Sequence, residues 1–195
     1  MRRQLQPIFS SIAELACRAG LSANAISLLG LVFALASAAS YWGWRLNPAL
    51  PYAAVIFLLL SGFCDAVDGA IARARGGATP LGGFLDSVLD RYADVSILLG
   101  VAMGGLCGVL PALLAISGSL LVSYSRARAE VEGLKMESVG IAERAERILI
   151  LAVASILNLA WSEALHYGVL LLAFLTHLTA MQRFFYALRR LPGTS

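Results

Sequence analysis

Six long apolar segments separated by short polar connections restrict the fold of this chain more than any other feature. They cover residues 22–42, 51–73, 82–103, 111–126, 146–161 and 164–186. An apolar helix of about 20 residues spans the hydrocarbon core of a bilayer, because each residue adds about 1.5 Å to a helix. The sequence therefore predicts an all-α integral membrane protein with six transmembrane helices.

The composition agrees with this prediction. Apolar residues make up 59% of the 195 positions and charged residues only 14%, and the mean hydropathy is +0.78. Six spans leave no room for a separate soluble domain, so we expect one membrane domain over residues 21–190. Residues 1–20 lack the apolar core of a secretory signal and place apolar side chains at helical spacing. They predict an amphipathic helix on the membrane surface.

The basic residues predict how the chain is oriented. Arg45 falls on one predicted side of the membrane. The basic residues that fall on the other side are Arg2, Arg3, Arg18, Arg73, Arg75, Arg126, Arg128, Lys135, Arg144, Arg147, Arg183, Arg189 and Arg190. By the positive-inside rule that side, which carries both termini, is cytoplasmic, and the protein is a multi-pass protein of the cell membrane. The net charge of +3 then reflects topology and anionic lipids, and we expect no nucleic-acid partner.

Four aspartates lie within 26 residues of this apolar chain. Asp65 and Asp68 are three residues apart on the second span, and Asp86 and Asp90 are four apart on the third, so each pair shares a helix face. A carboxylate at the centre of a membrane helix costs about 2.5 to 3.5 kcal/mol. A divalent cation held between the acids would offset this cost, and ligands that are all oxygen favour Mg²⁺ or Mn²⁺ over Zn²⁺. The three cysteines share no metal-site or disulfide spacing.

Small residues accompany the acids. Gly69 and Ala72 continue the helix face of Asp65, and Gly82 lies near the start of the next span. Such a stripe permits either close helix packing or a cleft. Beside four acids we expect a cleft for an anionic ligand, with Arg73 at the helix end suited to phosphate oxygens.

The combined pattern from Asp65 to Asp90 is D-x2-D-G-x2-A-R-x8-G-x3-D-x3-D. It resembles the signature of the CDP-alcohol phosphotransferase family, membrane enzymes that join a CDP-linked alcohol to a second alcohol and release CMP. The resemblance implies two metal ions, one on Asp65, Asp68 and Asp86 and a second on Asp65, Asp86 and Asp90. It also implies that Asp90 is the catalytic base and that the protein is a homodimer.

The same resemblance implies where a CDP-lipid, either CDP-diacylglycerol or CDP-archaeol, would bind. The residues expected to line that site are Asn24, Ser27, Gly69, Ala72, Arg73 and Thr79. Ala23 departs from the proline that is often found at its position in the family.

The acceptor is suggested by two further stretches. DSVLDRYADV, which contains Arg91 and Asp94, differs from the DPxxDK form typical of relatives that use glycerol phosphate. SYSRARAEVEGLKMESVGIAERAER resembles the branch that uses inositol phosphate. A phosphorylated acceptor needs its own cationic pocket. The candidates are Arg126, Arg128, Arg144, Arg147 and Arg183, unless they only follow the positive-inside rule or pair with nearby glutamates.

The sequence thus predicts an enzyme of phospholipid biosynthesis. It would transfer a phosphatidyl or archaetidyl group from a CDP-lipid to myo-inositol phosphate and release CMP. Two alternatives stay open. One is the same chemistry with glycerol 3-phosphate as acceptor. The other is a cation transporter, although the acids gather towards one side of the membrane and no internal repeat is evident.

Overall fold

A computed structural model describes residue 15 and residues 20–77, 79–136 and 139–191 of the 195-residue chain. Within them the chain forms six α-helices and no β-strand. The helices are α1 Ala23–Trp42, α2 Leu50–Ala74, α3 Pro80–Met103, α4 Val109–Val131, α5 Arg144–Leu157 and α6 Ala164–Arg190. The predicted interfacial helix over residues 1–20 lies outside the described residues, apart from Leu15 and Gly20.

Four of the described helices, α1, α2, α4 and α6, are long and apolar enough to cross a membrane. Helix α3 carries three acids and one arginine, namely Asp86, Asp90, Arg91 and Asp94. Helix α5 has only 14 residues, which is about 21 Å at 1.5 Å per residue and less than the roughly 30 Å of a hydrocarbon core. The all-α architecture with several membrane helices is confirmed, and the count of six spans stays a prediction.

The chain divides into two compact units, Met1–Ile97 and Leu98–Ser195. The first contains α1, α2 and most of α3. Helices α1 and α2 pack closely, because a methyl group at Gly30 would lie 3.1 Å from the Cys64 Cβ atom and Ser37 Oγ donates a hydrogen bond to the Ala54 carbonyl at 2.8 Å. The core between them contains Ile26, Cys64, Val67, Ala70 and Ile71.

A tight reversal joins α2 to α3. Gly76 and Gly77 have positive φ angles of 90° and 120°, which residues other than glycine rarely adopt. The Gly77 amide donates to the Ala72 carbonyl at 2.9 Å, which closes the end of α2. At the start of helix α3, Thr79 Oγ1 accepts a hydrogen bond from the Gly82 amide at 3.0 Å, and Pro80 is the first residue of the helix.

The second unit contains α4, α5 and α6, and α6 packs against both other helices. Gly118 of α4 lies against α6, where a methyl group would collide with Thr176. Gly168 of α6 likewise lies against Ala154 of α5. Asn158 is the C-cap of α5, and its side-chain oxygen accepts a hydrogen bond from the Leu165 amide at 3.1 Å. These close approaches are typical of helices that associate through small residues in membranes.

Three helix boundaries differ from the predicted spans by four residues or more. Helix α4 continues past Arg126 to Val131, because its last turns are stabilised by ion pairs between residues four apart. Helix α5 stops at Leu157, before the predicted end at residue 161. Helix α6 continues to Arg190, whose guanidinium lies 5.6 Å from the centre of the Tyr186 ring one turn earlier.

Candidate metal centre and its cavity

Three carboxylates from two helices come together in the first unit. Asp65 and Asp68 of α2 and Asp86 of α3 each offer one carboxylate oxygen, and these oxygens all lie within 4.8 Å of one another. Oxygen ligands on opposite sides of one Mg²⁺ ion are about 4 Å apart, because each Mg–O bond is about 2.1 Å. The donor set and its spacing therefore fit a hard divalent cation held by Asp65, Asp68 and Asp86.

Asp68 is the most enclosed of these acids and is oriented by a neighbour on α1. Its side chain is 5% exposed, and its Oδ2 atom accepts a hydrogen bond from Ser27 Oγ at 2.7 Å. Because that bond uses one carboxylate oxygen, it fixes how the other oxygen is presented to the cluster. Ser27 was predicted from resemblance alone, and its contact with Asp68 gives it a physical role.

Asp90 lies one turn after Asp86 on α3. Its Oδ2 atom is 3.4 Å from Arg91 Nη2, and the two side chains are 15% and 32% exposed. The three-acid cluster described above does not include it. A second metal ion on Asp65, Asp86 and Asp90, and the role of Asp90 as base, stay predictions.

A cavity of about 420 Å³ adjoins the acids. Asp68 and Asp86 contribute to its wall. The residues that sequence reasoning placed at a CDP-lipid site also line it, namely Asn24, Ser27, Gly69, Ala72, Arg73 and Thr79. The folded chain therefore brings two of the four predicted metal ligands and all six predicted CDP-lipid residues to one cavity.

Glycines keep this cavity open. A methyl group at Gly82 would lie 3.0 Å from Thr79 Oγ1 and 3.1 Å from Asn24 Oδ1, and most Cβ atoms in proteins stay farther than this from their neighbours. A methyl group at Gly69 would lie 3.3 Å from an Arg73 guanidinium nitrogen. The two glycines thus leave space between polar side chains that face the cavity.

Sequence reasoning did not assign several other lining residues to the site, among them Ser22, Arg75 and Gly77. Arg75 donates a hydrogen bond from Nη2 to the Leu21 carbonyl at 3.1 Å, and thereby connects the end of α2 to the chain just before α1. Ser22 is the N-cap of α1, where its Oγ accepts from the Ala25 amide at 3.2 Å. In the sequence Arg75 looks like any other basic residue at the end of a membrane span, so only its partner distinguishes it.

The five candidate acceptor arginines belong to the second unit and fall into two groups. Arg126 pairs with Glu130 at 2.8 Å and Arg128 with Glu132 at 2.5 Å, and all four side chains are about half exposed. Each of these two arginines therefore pairs with the glutamate four residues later, on the same face of the helix.

The remaining three candidate acceptor arginines lie on α5 and α6. Arg144 is the first residue of α5. Arg147 and Arg183 are 5% and 3% exposed and donate hydrogen bonds to backbone carbonyls. Whether any of the five binds an acceptor phosphate stays a prediction.

The described residues thus contain membrane-length helices and a cluster of carboxylates suited to a divalent cation. The adjoining cavity, with Arg73 in its wall, is the candidate site for an anionic ligand. The family model of the CDP-alcohol phosphatidyltransferases matches residues 21–181. The chain belongs to this family, and it is an enzyme of the class that its sequence predicts.

Relatives agree with this assignment. The archaetidylinositol phosphate synthase of Pyrococcus horikoshii is 41% identical over 191 residues, which cover 98% of this chain and 94% of the relative. The crystal structure of Mycobacterium tuberculosis phosphatidylinositol phosphate synthase with CDP-DAG bound matches with a TM-score of 0.78 and 29% identity, covering 93% of this chain and 94% of that one. A structure of the same synthase in complex with manganese and citrate also gives a TM-score of 0.78 and 29% identity, with coverage of 95% and 90%.

Proposed function

We propose that this protein transfers the phosphatidyl or archaetidyl group of a CDP-lipid to myo-inositol phosphate and releases CMP. The observation that carries the proposal is the convergence of Asp65, Asp68 and Asp86 beside a cavity lined by Arg73 and Thr79. The relatives that span nearly the whole chain carry the names of inositol phosphate synthases. Metal ligands, phosphate-binding groups and a matching family therefore support one reaction.

The reaction is a direct displacement at phosphorus. A hydroxyl group of the acceptor attacks the β-phosphorus of the CDP-lipid, and a new P–O bond forms as the bond to the bridging oxygen breaks. CMP leaves with that oxygen, and Asp90 accepts the proton of the attacking hydroxyl. No covalent intermediate with the enzyme is needed. Arg73 lies at the cavity wall, where its guanidinium can hold the diphosphate oxygens.

The metal is proposed to be Mg²⁺ or Mn²⁺, with two ions at the full site. Asp65, Asp68 and Asp86 would hold the first, and Asp65, Asp86 and Asp90 the second. Bound there, the ions supply positive charge against the charge that develops as CMP departs. Ser27 would keep Asp68 in the orientation that the first ion requires.

The acceptor and the lipid are proposed from the relatives. Names that specify inositol phosphate favour myo-inositol phosphate over glycerol 3-phosphate. The 41% identity to an archaetidylinositol phosphate synthase, against 29% to the phosphatidylinositol phosphate synthase of known structure, makes CDP-archaeol the first lipid to test. Arg126, Arg128, Arg144, Arg147 and Arg183 are the proposed source of the acceptor phosphate site.

We further propose six membrane spans, a homodimer in the bilayer and an active site on the cytoplasmic side. The distribution of basic residues supports the orientation, because Arg73 and Arg75 end α2 next to the cavity and membrane proteins concentrate arginine on the cytoplasmic side. Cysteine labelling from each side of sealed vesicles tests the orientation, and light scattering in detergent tests the dimer.

The decisive experiment is a crossed substrate assay. Purified protein with Mg²⁺ is given CDP-archaeol or CDP-diacylglycerol, each with myo-inositol phosphate or glycerol 3-phosphate, and CMP is measured. We expect CMP release that depends on myo-inositol phosphate with at least one of the lipids. Release with glycerol 3-phosphate alone would refute the proposed acceptor. Cation flux into vesicles without nucleotide would instead favour a transporter.

A further inference from the structure

The chain between α4 and α5 is held to α6 by a buried threonine. Thr179 of α6 is fully buried, and its Oγ1 atom accepts hydrogen bonds from two successive backbone amides, those of Ile141 at 3.3 Å and Ala142 at 3.1 Å. A hydroxyl oxygen has two acceptor positions, and both are used here on one peptide segment. These amides have no helical partner, because α5 begins only at Arg144.

The shape of the segment matches this contact. Gly140 has a φ angle of +118°, which side chains other than glycine rarely adopt. A methyl group at Gly140 would also collide with the Thr179 side chain. The backbone therefore approaches Thr179 more closely than any residue with a Cβ atom would allow. Ala142, the next contact, is fully buried.

Two buried arginines hold the carbonyl groups of the same segment. Arg183, one turn after Thr179, donates from Nε to the Val139 carbonyl at 2.8 Å. Arg147 donates from Nη1 to the Ala142 carbonyl at 3.1 Å. The backbone from Val139 to Ala142 is thus fixed by side chains of α5 and α6 rather than by secondary structure of its own.

We infer that Thr179 is a positioning residue for the acceptor site. It holds the backbone of Ile141 and Ala142, and this fixes where α5 begins and where Arg144 lies. This inference rests on the proposed function, because it assumes that Arg144 belongs to the cationic pocket for the acceptor phosphate. Thr179 itself touches neither substrate. Its loss should therefore weaken acceptor binding and leave the CDP-lipid site unchanged, since the cavity of that site is lined by residues of the first unit.

The test compares two threonines of the same helix. Thr179→Val keeps the shape of the side chain and removes the acceptor oxygen. Thr176→Val is the matched control, because Thr176 is also fully buried but donates only within its own helix, to the Leu172 carbonyl at 2.7 Å and the Ala173 carbonyl at 3.1 Å. Thr179→Ser retains the oxygen and serves as the conservative rescue. CMP release is measured while the acceptor and the CDP-lipid are varied in turn.

We expect Thr179→Val to raise the KM for myo-inositol phosphate about tenfold, because two backbone amides, that of Ala142 buried and that of Ile141 partly buried, lose their partner. The KM for the CDP-lipid should stay within about twofold of the wild-type value, because substitutions at distant, independent sites affect one another by only a few tenths of a kcal/mol. Thr179→Ser should recover most of the loss, and Thr176→Val should show none of it. An unchanged acceptor KM in Thr179→Val, or an equal rise in both KM values, would overturn the inference.

Hydrogen exchange gives a readout that does not depend on the substrate. In Thr179→Val the amides of Ile141 and Ala142 should exchange faster, and in Thr176→Val they should not. Unchanged exchange in Thr179→Val would also overturn the inference. If the wild-type protein releases no CMP with myo-inositol phosphate, the proposed function fails instead, and the exchange data then report on the contact alone.

Discussion

The two units of this protein use charged side chains in opposite ways. In Met1–Ile97, three carboxylates converge beside a cavity, and their oxygens are spaced to hold a divalent cation. In Leu98–Ser195, the buried arginines Arg147 and Arg183 donate to backbone carbonyls, and the exposed Arg126 pairs with a glutamate one turn away. Charge in the first unit converges on a cavity, whereas the buried arginines of the second unit also hold backbone segments in place.

This difference predicts which substitutions affect activity and which affect stability. Removing a carboxylate from the cluster relieves repulsion and removes a metal ligand, so activity should fall while the fold survives. Removing a buried arginine leaves carbonyls without partners, so stability should fall. The four tests below follow this contrast from the largest expected effect to the smallest.

Asp86→Asn should have the largest effect on catalysis. The asparagine removes one charged ligand from the cluster, and metal ions contribute several kcal/mol of charge stabilisation, so CMP release should fall at least about a thousandfold. The unfolding midpoint in micelles should stay close to that of the wild type. Glu132→Gln is the control, because Glu132 is an exposed acid of the second unit in a surface ion pair. Near-normal activity in Asp86→Asn would show that the cluster is not the metal site.

Arg183→Gln should be the most destabilising change of the four. Arg183 is 3% exposed and donates to the Val122 carbonyl at 2.5 Å and the Val139 carbonyl at 2.8 Å. Hydrogen bonds from a charged donor contribute about 1.5 to 3 kcal/mol each, so we expect a loss of about 3 kcal/mol or more in the free energy of unfolding.

The control for that variant is Arg126→Gln, which breaks an exposed ion pair and should cost less than about 1 kcal/mol. Denaturant titration in mixed micelles measures both variants. An equal loss of unfolding free energy in Arg183→Gln and Arg126→Gln would contradict the contrast between buried and exposed arginines in the second unit.

Ser27→Ala should weaken metal binding. The Ser27 hydroxyl donates to Asp68 at 2.7 Å, and partners that orient a metal ligand typically contribute about 10- to 100-fold in metal affinity or activity. The Mg²⁺ concentration for half-maximal CMP release should rise by about that factor, and excess Mg²⁺ should restore activity.

Ser40→Ala is the matched control on the same helix, because Ser40 donates only to the Ala36 carbonyl of α1 at 2.8 Å. An identical Mg²⁺ requirement in both variants would mean that the contact with Asp68 does not orient a metal ligand.

Gly82→Ala should impair the CDP-lipid site. The added methyl group would lie 3.0 Å from Thr79 Oγ1 and 3.1 Å from Asn24 Oδ1, which is the length of a hydrogen bond and too short for a methyl contact. Overpacking of this kind costs about 1 to 3 kcal/mol, so the KM for the CDP-lipid should rise about tenfold. Gly83→Ala is the comparison, because a methyl group there meets no atom within 4 Å. A larger effect at Gly83 than at Gly82 would contradict the packing described for the cavity.

Much of the fold could be predicted from the sequence. Apolar segments of about 20 residues dictate membrane helices, and the capping hydrogen bonds of Ser22 and Thr79 are local, because each joins residues three positions apart. The boundaries at the ends of α4 and α6 were less predictable. There, pairs of residues four apart extend a helix beyond its apolar segment, as Arg126 and Glu130 do.

The candidate site was predictable to a similar degree. Spacing alone put Asp65 and Asp68 on one helix face. The family resemblance supplied Gly69, Arg73 and Thr79, and these three residues line the cavity. The role of Arg75 could not be predicted, because its partner is the carbonyl of Leu21, 54 residues away. No local pattern specifies such a pairing.

The sequence by itself determined that this chain forms apolar helices, that its aspartates lie in pairs on shared helix faces and that it belongs to a family of membrane enzymes. The tertiary structure decided which charges meet. It brought Asp86 to Asp65 and Asp68, and it gave Arg183 carbonyl partners 44 and 61 residues away. Helix formation and side-chain periodicity are local properties, whereas the partner of a buried charge depends on which distant segments pack together.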